Sequence, residues 1–205
     1  LYQAYKSLAE SAEFATYSQA KKKLIENSLR DFELSGIGLS DSDKLRYGEL
    51  VKRMSELTSN FSNQLLDATQ AWTKLITDET ELAGLPESAV AAAKAMAEAK
   101  ELDGWLFTLD FPSYLPVMTY SQNRELREEC YRAFVTRASD QGPNAGEFDN
   151  GPLMDEILAV RHELANLLGF DSFADKSLAT KMAESPAQVL DFLTELAARS
   201  KTQGE

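Results

Sequence analysis

Histidine and cysteine are nearly absent from this sequence: 205 residues hold one of each, His162 and Cys130. A lone cysteine cannot close an intramolecular disulfide, so the chain reads as one for a reducing compartment, the cytoplasm. A lone histidine leaves no route to three His, two His with a carboxylate, or a Cys-rich set, so a tetrahedral zinc site is out of reach. Any Ser-His-Asp or Cys-His pair would have to use His162, and neither Ser172 nor Cys130 sits on a G-x-S-x-G turn. Basic residues are also scarce, 21 against 33 acidic, for a net charge of −12. Such a surface repels phosphate backbones and anionic lipid headgroups, and no basic stripe offsets it, which argues against nucleic-acid and membrane partners. No apolar run approaches the roughly 18 residues of a membrane-spanning helix, and mean hydropathy is −0.34. The opening LYQAYKSLAESAEF has no basic start, no apolar signal core and no initiator Met. Leu1 begins inside a helical pattern and the chain stops at KTQGE, so we expect an excised piece of a longer protein.

What is present is apolar spacing near 3.6 residues, the signature of amphipathic helices. Tyr5, Leu8, Ala12, Ala15, Leu24, Ile25, Leu29 and Phe32 share one face of a first helix, which ends at Ser35-Gly36-Ile37-Gly38. Ser40, Asp41 and Ser42 offer caps for a second helix, with Tyr47, Leu50, Val51, Met54, Leu57, Phe61, Leu65 and Leu66 as its stripe. Alternation and β-branching in AWTKLIT, residues 71–77, predict a strand. An alanine-rich helix follows Pro86, and Asp103-Gly104 turns into a second strand at 105–110. Two strands alone form a marginal ribbon, so helices must cover them. Helices are expected at 112–121 and 123–138, then a loop at 139–151 rich in Gly, Asn, Asp and Pro. Pro152 opens a helix burying Leu153, Met154, Ile157, Leu158, Leu164, Ala165 and Leu168, closed by Gly169. Asp171 or Ser172 caps a short helix. Ser185 and Gln188 form a capping box for the last one, whose Leu190, Leu193, Leu196 and Ala197 are expected to face the core. The predicted fold is mainly α: an antiparallel bundle-like helical array with a minor two-stranded ribbon. Its parts are a long helical hairpin at 1–70, the ribbon with its inserted helix at 71–110, and a helical array at 112–205, all in one unit of residues 1–205.

The residues that invite chemistry each have a plain structural reading. Arg161-His162-Glu163-Leu164-Ala165-Asn166 is one residue short of His-Glu-x-x-His, the helical zinc motif that sets two imidazoles one turn apart. Asn166 takes the second ligand's place, and a neutral amide is a poor zinc ligand, so His162 reads as a polar residue on a helix face. Cys130 lies four residues from both Leu126 and Phe134, the spacing of a buried small hydrophobe. Glu128-Glu129 reads as a solvated face, and Lys21-Lys22-Lys23 as an exposed one. Gly36-Ile37-Gly38 lacks a third glycine and a preceding strand, so it is no phosphate loop. Phe107 reads as core. Tyr114 and Tyr120 join apolar rings to polar tips and serve either core packing or a ligand-facing cleft.

Several ordered segments resemble one family. Phe111-Pro112-Ser113-Tyr114-Leu115-Pro116, Asn123-Arg124-Glu125-Leu126-Arg127-Glu128 and Tyr131-Arg132-Ala133-Phe134 are similar to part of the family of thimet oligopeptidase, neurolysin and oligopeptidase A. So are Asp149-Asn150, Ile157 through Ala165, Leu168-Gly169-Phe170 and Lys181-Met182-Ala183, with agreement over roughly residues 105–195. The bacterial members look nearest. The resemblance implies a neurolysin-like N-terminal portion of a large, mostly helical zinc metallopeptidase that cuts short peptides in a channel between two domains. The family's zinc motif and later Tyr and His residues lie downstream of the matching region, so no catalytic or metal-binding residue carries over. What the resemblance implies here is a non-catalytic wall of the channel, with Tyr114 and Tyr120 as candidates to line it, zinc held elsewhere in the whole enzyme, and a C-terminal catalytic domain as partner. Helices made to pack on that domain should expose apolar faces and drive self-association. The alternative is a free-standing helical interaction module without enzymatic activity.

Overall fold

The computed structural model describes residues 1–205. The chain is mainly α with one two-stranded antiparallel ribbon, as its patterning predicts. It divides into two compact units, residues 1–55 with 157–205 and residues 56–156.

In the first unit the expected opening helix is broken. Helix α1 spans Tyr2–Ala9, a 3-10 turn covers Ala12–Thr16, and α2 runs over Gln19–Leu34. Hydroxyls cause the break by competing for backbone groups: Ser11 Oγ donates to the Leu8 carbonyl at 2.7 Å, Thr16 Oγ1 donates to that of Glu13, and Ser18 Oγ accepts from the Lys21 amide. Tyr2 and Tyr5 pack edge-on against Phe32, with ring centroids 6.0 and 5.9 Å apart, which holds α1 to α2. Ile25 is buried, but Leu24 is 58% exposed and does not share its face. Gly36 ends α2 at a φ of +76°, with the Ile37 amide reaching back to the Phe32 carbonyl. Ser40 Oγ then accepts from the Asp43 amide and caps α3, Asp41–Ala71. Along α3, whose residues from 56 onward belong to the second unit, Leu50, Leu57 and Ala68 are buried, whereas Val51 and Leu66 are exposed.

Helix α7, Gly151–Leu167, buries Ile157, Val160, Leu164 and Ala165. Met154 and Leu158, expected on that face, are 49% and 63% exposed. Gly169 closes it in the left-handed conformation, with the Phe170 amide on the Ala165 carbonyl. Ser172 caps α8, Phe173–Leu178. Ser185 caps α9, Pro186–Gly204, through the Gln188 amide. The Gln188 side chain returns not to Ser185 but one residue further back, accepting from the Glu184 amide at 2.7 Å. The expectation that α9 buries its apolar face is overturned: Leu190, Leu193 and Leu196 are 63%, 50% and 49% exposed, and Ala197 is exposed too.

The second unit holds the ribbon. Strand β1, Thr73–Ile76, pairs with β2, Trp105–Thr108, with Thr73 opposite Thr108 and Ile76 opposite Trp105. Between them lies α4, Glu87–Glu98, and after them α5, Phe111–Tyr120, and α6, Arg124–Val135. Trp72, Ile76, Ala93, Phe107, Val117, Leu126 and Cys130 belong to one core that joins ribbon to helices, which meets the ribbon's need for cover. Asn123 caps α6 by accepting from the Leu126 amide at 3.1 Å. Helix α4 ends with the Leu102 amide on the Ala97 carbonyl and Glu101 at a φ of +57°. A side chain with Cβ is strained there, so Glu101→Gly is expected to stabilise the chain by about 0.5 to 1 kcal/mol. A urea-unfolding midpoint moved upward at unchanged slope checks it.

Candidate functional site

The near-miss zinc sequence on α7 is fully engaged in side-chain contacts. His162 Nε2 lies 2.9 Å from the Asn166 amide nitrogen one turn on, both exposed. The acid between them does not face a metal or a water: Glu163 takes two bonds from the Arg46 guanidinium, at 2.5 Å from Nε and 2.8 Å from Nη2. The hydrogen bond from Arg46 holds the Glu163 carboxyl below its ordinary range. A depressed carboxyl strengthens the fold above its unfolded pKa, and that part is lost as pH falls through the lowered folded value. Glu163→Gln should therefore lower the neutral plateau slightly, leave stability at low pH unchanged, and so flatten the acid limb of the stability curve; acid titration followed by circular dichroism reads this. Arg161 lies over the Phe173 ring at 4.9 Å. No group of three or more His, Cys, Asp or Glu is placed to hold a metal ion. The residues of this chain do not fit a zinc site.

Cys130 lies on α6 at 1% exposure, in the core as its spacing predicts. Burial pushes its thiol up to about 12. At pH 8 the thiolate is then roughly a thousandfold rarer than for a free thiol. An aromatic disulfide reagent should leave the native chain unmodified and titrate one thiol on unfolding.

The Glu128-Glu129 pair is split by α6. Glu129 accepts from Lys74 Nζ of β1 at 2.7 Å, while Glu128 borders an open cleft with Met118, Arg124, Arg127 and Tyr131. Of the lysine run, Lys22 Nζ donates to the Ala15 carbonyl, Lys21 sits over the Tyr17 ring, and Lys23 pairs loosely with Glu26.

Tyr114 and Tyr120 are not brought together. Six residues apart on α5, they stand about 120° apart around its axis. Tyr114 stacks on Phe134 with centroids 4.0 Å apart and planes 11° apart. The Arg137 guanidinium lies 3.7 Å from the same ring, so Phe134 is sandwiched. Burial raises the Tyr114 hydroxyl above its usual pKa. Tyr120 is 56% exposed. Its backbone is fixed by the loop at 83–84: the Gln122 amide donates to the Ala83 carbonyl at 2.8 Å, and a Cβ on Gly84 would lie 2.4 Å from the Tyr120 carbonyl oxygen.

Sequence reasoning missed two features. One is the cleft of Arg124, Arg127 and Tyr131, for which the spacing of three and four along α6 was the available signal. The other is an apolar groove of 290 Å³ where α4 meets β2 and the start of α5, bordered by Ala89, Ala92, Leu106 and Asp110.

Known proteins match this whole chain. The model of peptidase family M3 matches residues 117–205, and that of the neurolysin/thimet oligopeptidase N-terminal domain matches residues 1–44. Oligopeptidase A of Salmonella typhimurium and that of Escherichia coli are each 66% identical over 205 residues, all of this chain but 30% of theirs. A protein of Arabidopsis thaliana named "Probable cytosolic oligopeptidase A" is 41% identical over 190 residues, 89% of this chain and 26% of its own length. The chain thus spans about a third of the relatives it matches. The chain is thus similar along its whole length to part of oligopeptidase A, with residues 1–44 in the pattern of the neurolysin/thimet oligopeptidase N-terminal domain and residues 117–205 in that of peptidase family M3.

Proposed function

We propose that this chain is a non-catalytic segment of a zinc-dependent metalloendopeptidase that hydrolyses short peptides in an enclosed channel, and that it forms wall and scaffold of that channel. The observation that carries this reading is the 66% identity to oligopeptidase A over all 205 residues. The family resemblance supports zinc in the whole enzyme. No set of side chains in this chain fits it, so the metal's ligands and the chemistry at the scissile bond belong to other residues of that enzyme. Short peptides are its substrates, and the cytoplasm is its compartment. No helix here is long and apolar enough to cross a membrane.

In this reading Tyr120 faces the channel: it is exposed, and its backbone is immobilised against Gly84, so a ligand meets a preset ring. Tyr114, stacked on Phe134, shapes the wall from behind. The apolar face of α9 supports a contact with the catalytic portion; in the isolated chain the same face supports self-association, seen as dimers or larger species on sizing chromatography. Sequence of the gene beyond Glu205 tests the reading. A downstream His-Glu-x-x-His and chelator-sensitive cleavage of short peptides by the full product are expected. A stop codon with no such motif would favour the free-standing interaction module.

A further inference from the structure

Strand β2 has a single neighbour, β1, so its other edge is open. Two observations fix which backbone groups lie on that edge. The Thr108 N–H donates to Ser113 Oγ at 3.0 Å, so it is not spent on Thr73 opposite. The Ile76 carbonyl oxygen crowds Gly104, where a Cβ would meet it at 2.3 Å, so Ile76 turns its carbonyl toward β2. In an antiparallel ladder, hydrogen-bonded and non-hydrogen-bonded pairs alternate. The bonded pairs are then Lys74 with Phe107 and Ile76 with Trp105, and the Leu106 N–H and C=O point outward. Leu106 is 3% exposed, and neither group bonds any residue on that side. A strand edge with an unpaired N–H and C=O is a ready template for pairing with another chain.

The space beside them is the 290 Å³ groove against α4. Its far wall is Ala89 and Ala92, whose small side chains leave the width. One turn of a helix about 10 Å across would fill about 420 Å³, so the groove takes a short extended segment and not a helix. Asp110 stands where β2 ends. Its carboxylate accepts from Thr108 Oγ1 at 3.1 Å and pairs with no cation. A strand added antiparallel to β2 starts at the Thr108–Asp110 end, which brings its amino terminus to that carboxylate.

We propose that the open edge of β2 docks the amino-terminal end of an extended apolar peptide, which pairs antiparallel with Leu106, lays a side chain against Ala89 and Ala92, and sets its ammonium against Asp110. Main-chain bonds supply affinity, the alanine wall selects side-chain size, and the charge pair selects a free amino terminus. Taking peptides as the natural occupants rests on the function proposed above; the groove's geometry does not.

The test is a titration of the ¹⁵N-labelled 205-residue chain with Val-Ala-Val-Ala, followed by amide shifts and hydrogen exchange. The Leu106 and Ala92 amides are expected to shift, and Leu106 exchange to slow at saturation. N-acetylation of the peptide should weaken binding by about tenfold, Asp110→Asn by a similar factor, and the two together by no more than either alone. Absence of a shift at Leu106, shifts centred on another surface, or equal binding of the acetylated peptide to the unaltered chain would each overturn the proposal. None of these failures bears on the gene sequence beyond Glu205, so the peptidase reading stands or falls separately.

Discussion

Gly104→Ala is expected to be among the most damaging single-methyl changes in the chain, lowering stability by about 3 kcal/mol or more. Gly104 has a φ of +132°, a region that side chains with Cβ rarely enter, so alanine is strained there before any contact is considered. Contact then adds to strain: the new Cβ would lie 2.3 Å from the Ile76 carbonyl oxygen and 3.2 Å from Leu75 Cδ1. Backbone cannot yield there without breaking the ribbon, because Ile76 is paired with Trp105 and is itself 1% exposed in the core. Urea unfolding at neutral pH, followed by circular dichroism, gives the measurement; a midpoint within error of the unaltered chain would contradict the turn geometry. Gly146, at a φ of +78° with nothing within 4 Å of its would-be Cβ, provides the control, since Gly146→Ala should show the conformational part without the clash.

Phe107→Ala is expected to cost about 3 to 5 kcal/mol, the range for emptying a fully buried aromatic site. Phe107 is 1% exposed and is among the largest fully buried side chains. It sits on the strand face that carries the core, sharing its cluster with Trp72, Ile76, Val117 and Cys130. Its loss would remove the contact through which ribbon and helices stabilise each other. Phe107→Leu should recover a large part of the deficit by keeping most of the volume. A sharper observation accompanies it: Cys130, unreactive in the native chain, should become titratable well below the global unfolding midpoint in Phe107→Ala. Gly104 adjoins the short strand that carries Phe107, so the two losses are not expected to add.

Much of this architecture was legible in the sequence because it is local. The caps at Ser40, Ser172 and Ser185, and the left-handed glycines at Gly36 and Gly169, announce helix boundaries through side-chain oxygens and missing Cβ atoms within a turn of the boundary. The first strand was readable from alternation and β-branching and the second from the Asp103-Gly104 turn before it, but both are shorter than expected, at Thr73–Ile76 and Trp105–Thr108. Where reading failed, a non-local quantity was involved. The apolar pattern of α9 says that Leu190, Leu193 and Leu196 share a side, but periodicity carries no information on whether another surface covers that side. Met154 and Leu158 failed similarly: they adjoin Ile157 on the wheel, and only packing distinguishes the buried stripe from its neighbour. The break between α1 and α2 depends on three hydroxyls, Ser11, Thr16 and Ser18, winning backbone groups from a helix that the apolar spacing alone would continue.

The site shows the same division. That His162, Asn166 and Glu163 make no zinc helix follows from residue counting, and structure adds only the reason Glu163 is unavailable: the Arg46 guanidinium occupies both its oxygens. Tyr114 and Tyr120, by contrast, are alike in sequence and separate only in space, one against Phe134 and one in the open. The groove along β2 had no sequence signal, since it arises from the conjunction of an unpaired strand edge with alanines on a helix that precedes it in the chain.

The most direct test of the central claim is the metal content of the purified 205-residue chain after incubation with equimolar zinc and removal of free ion, assayed together with peptide hydrolysis. The account predicts zinc far below one ion per chain and no cleavage that a chelator abolishes. One tightly held zinc per chain with chelator-sensitive cleavage would contradict it, because it would mean that side chains we find unable to form a metal cage do form one.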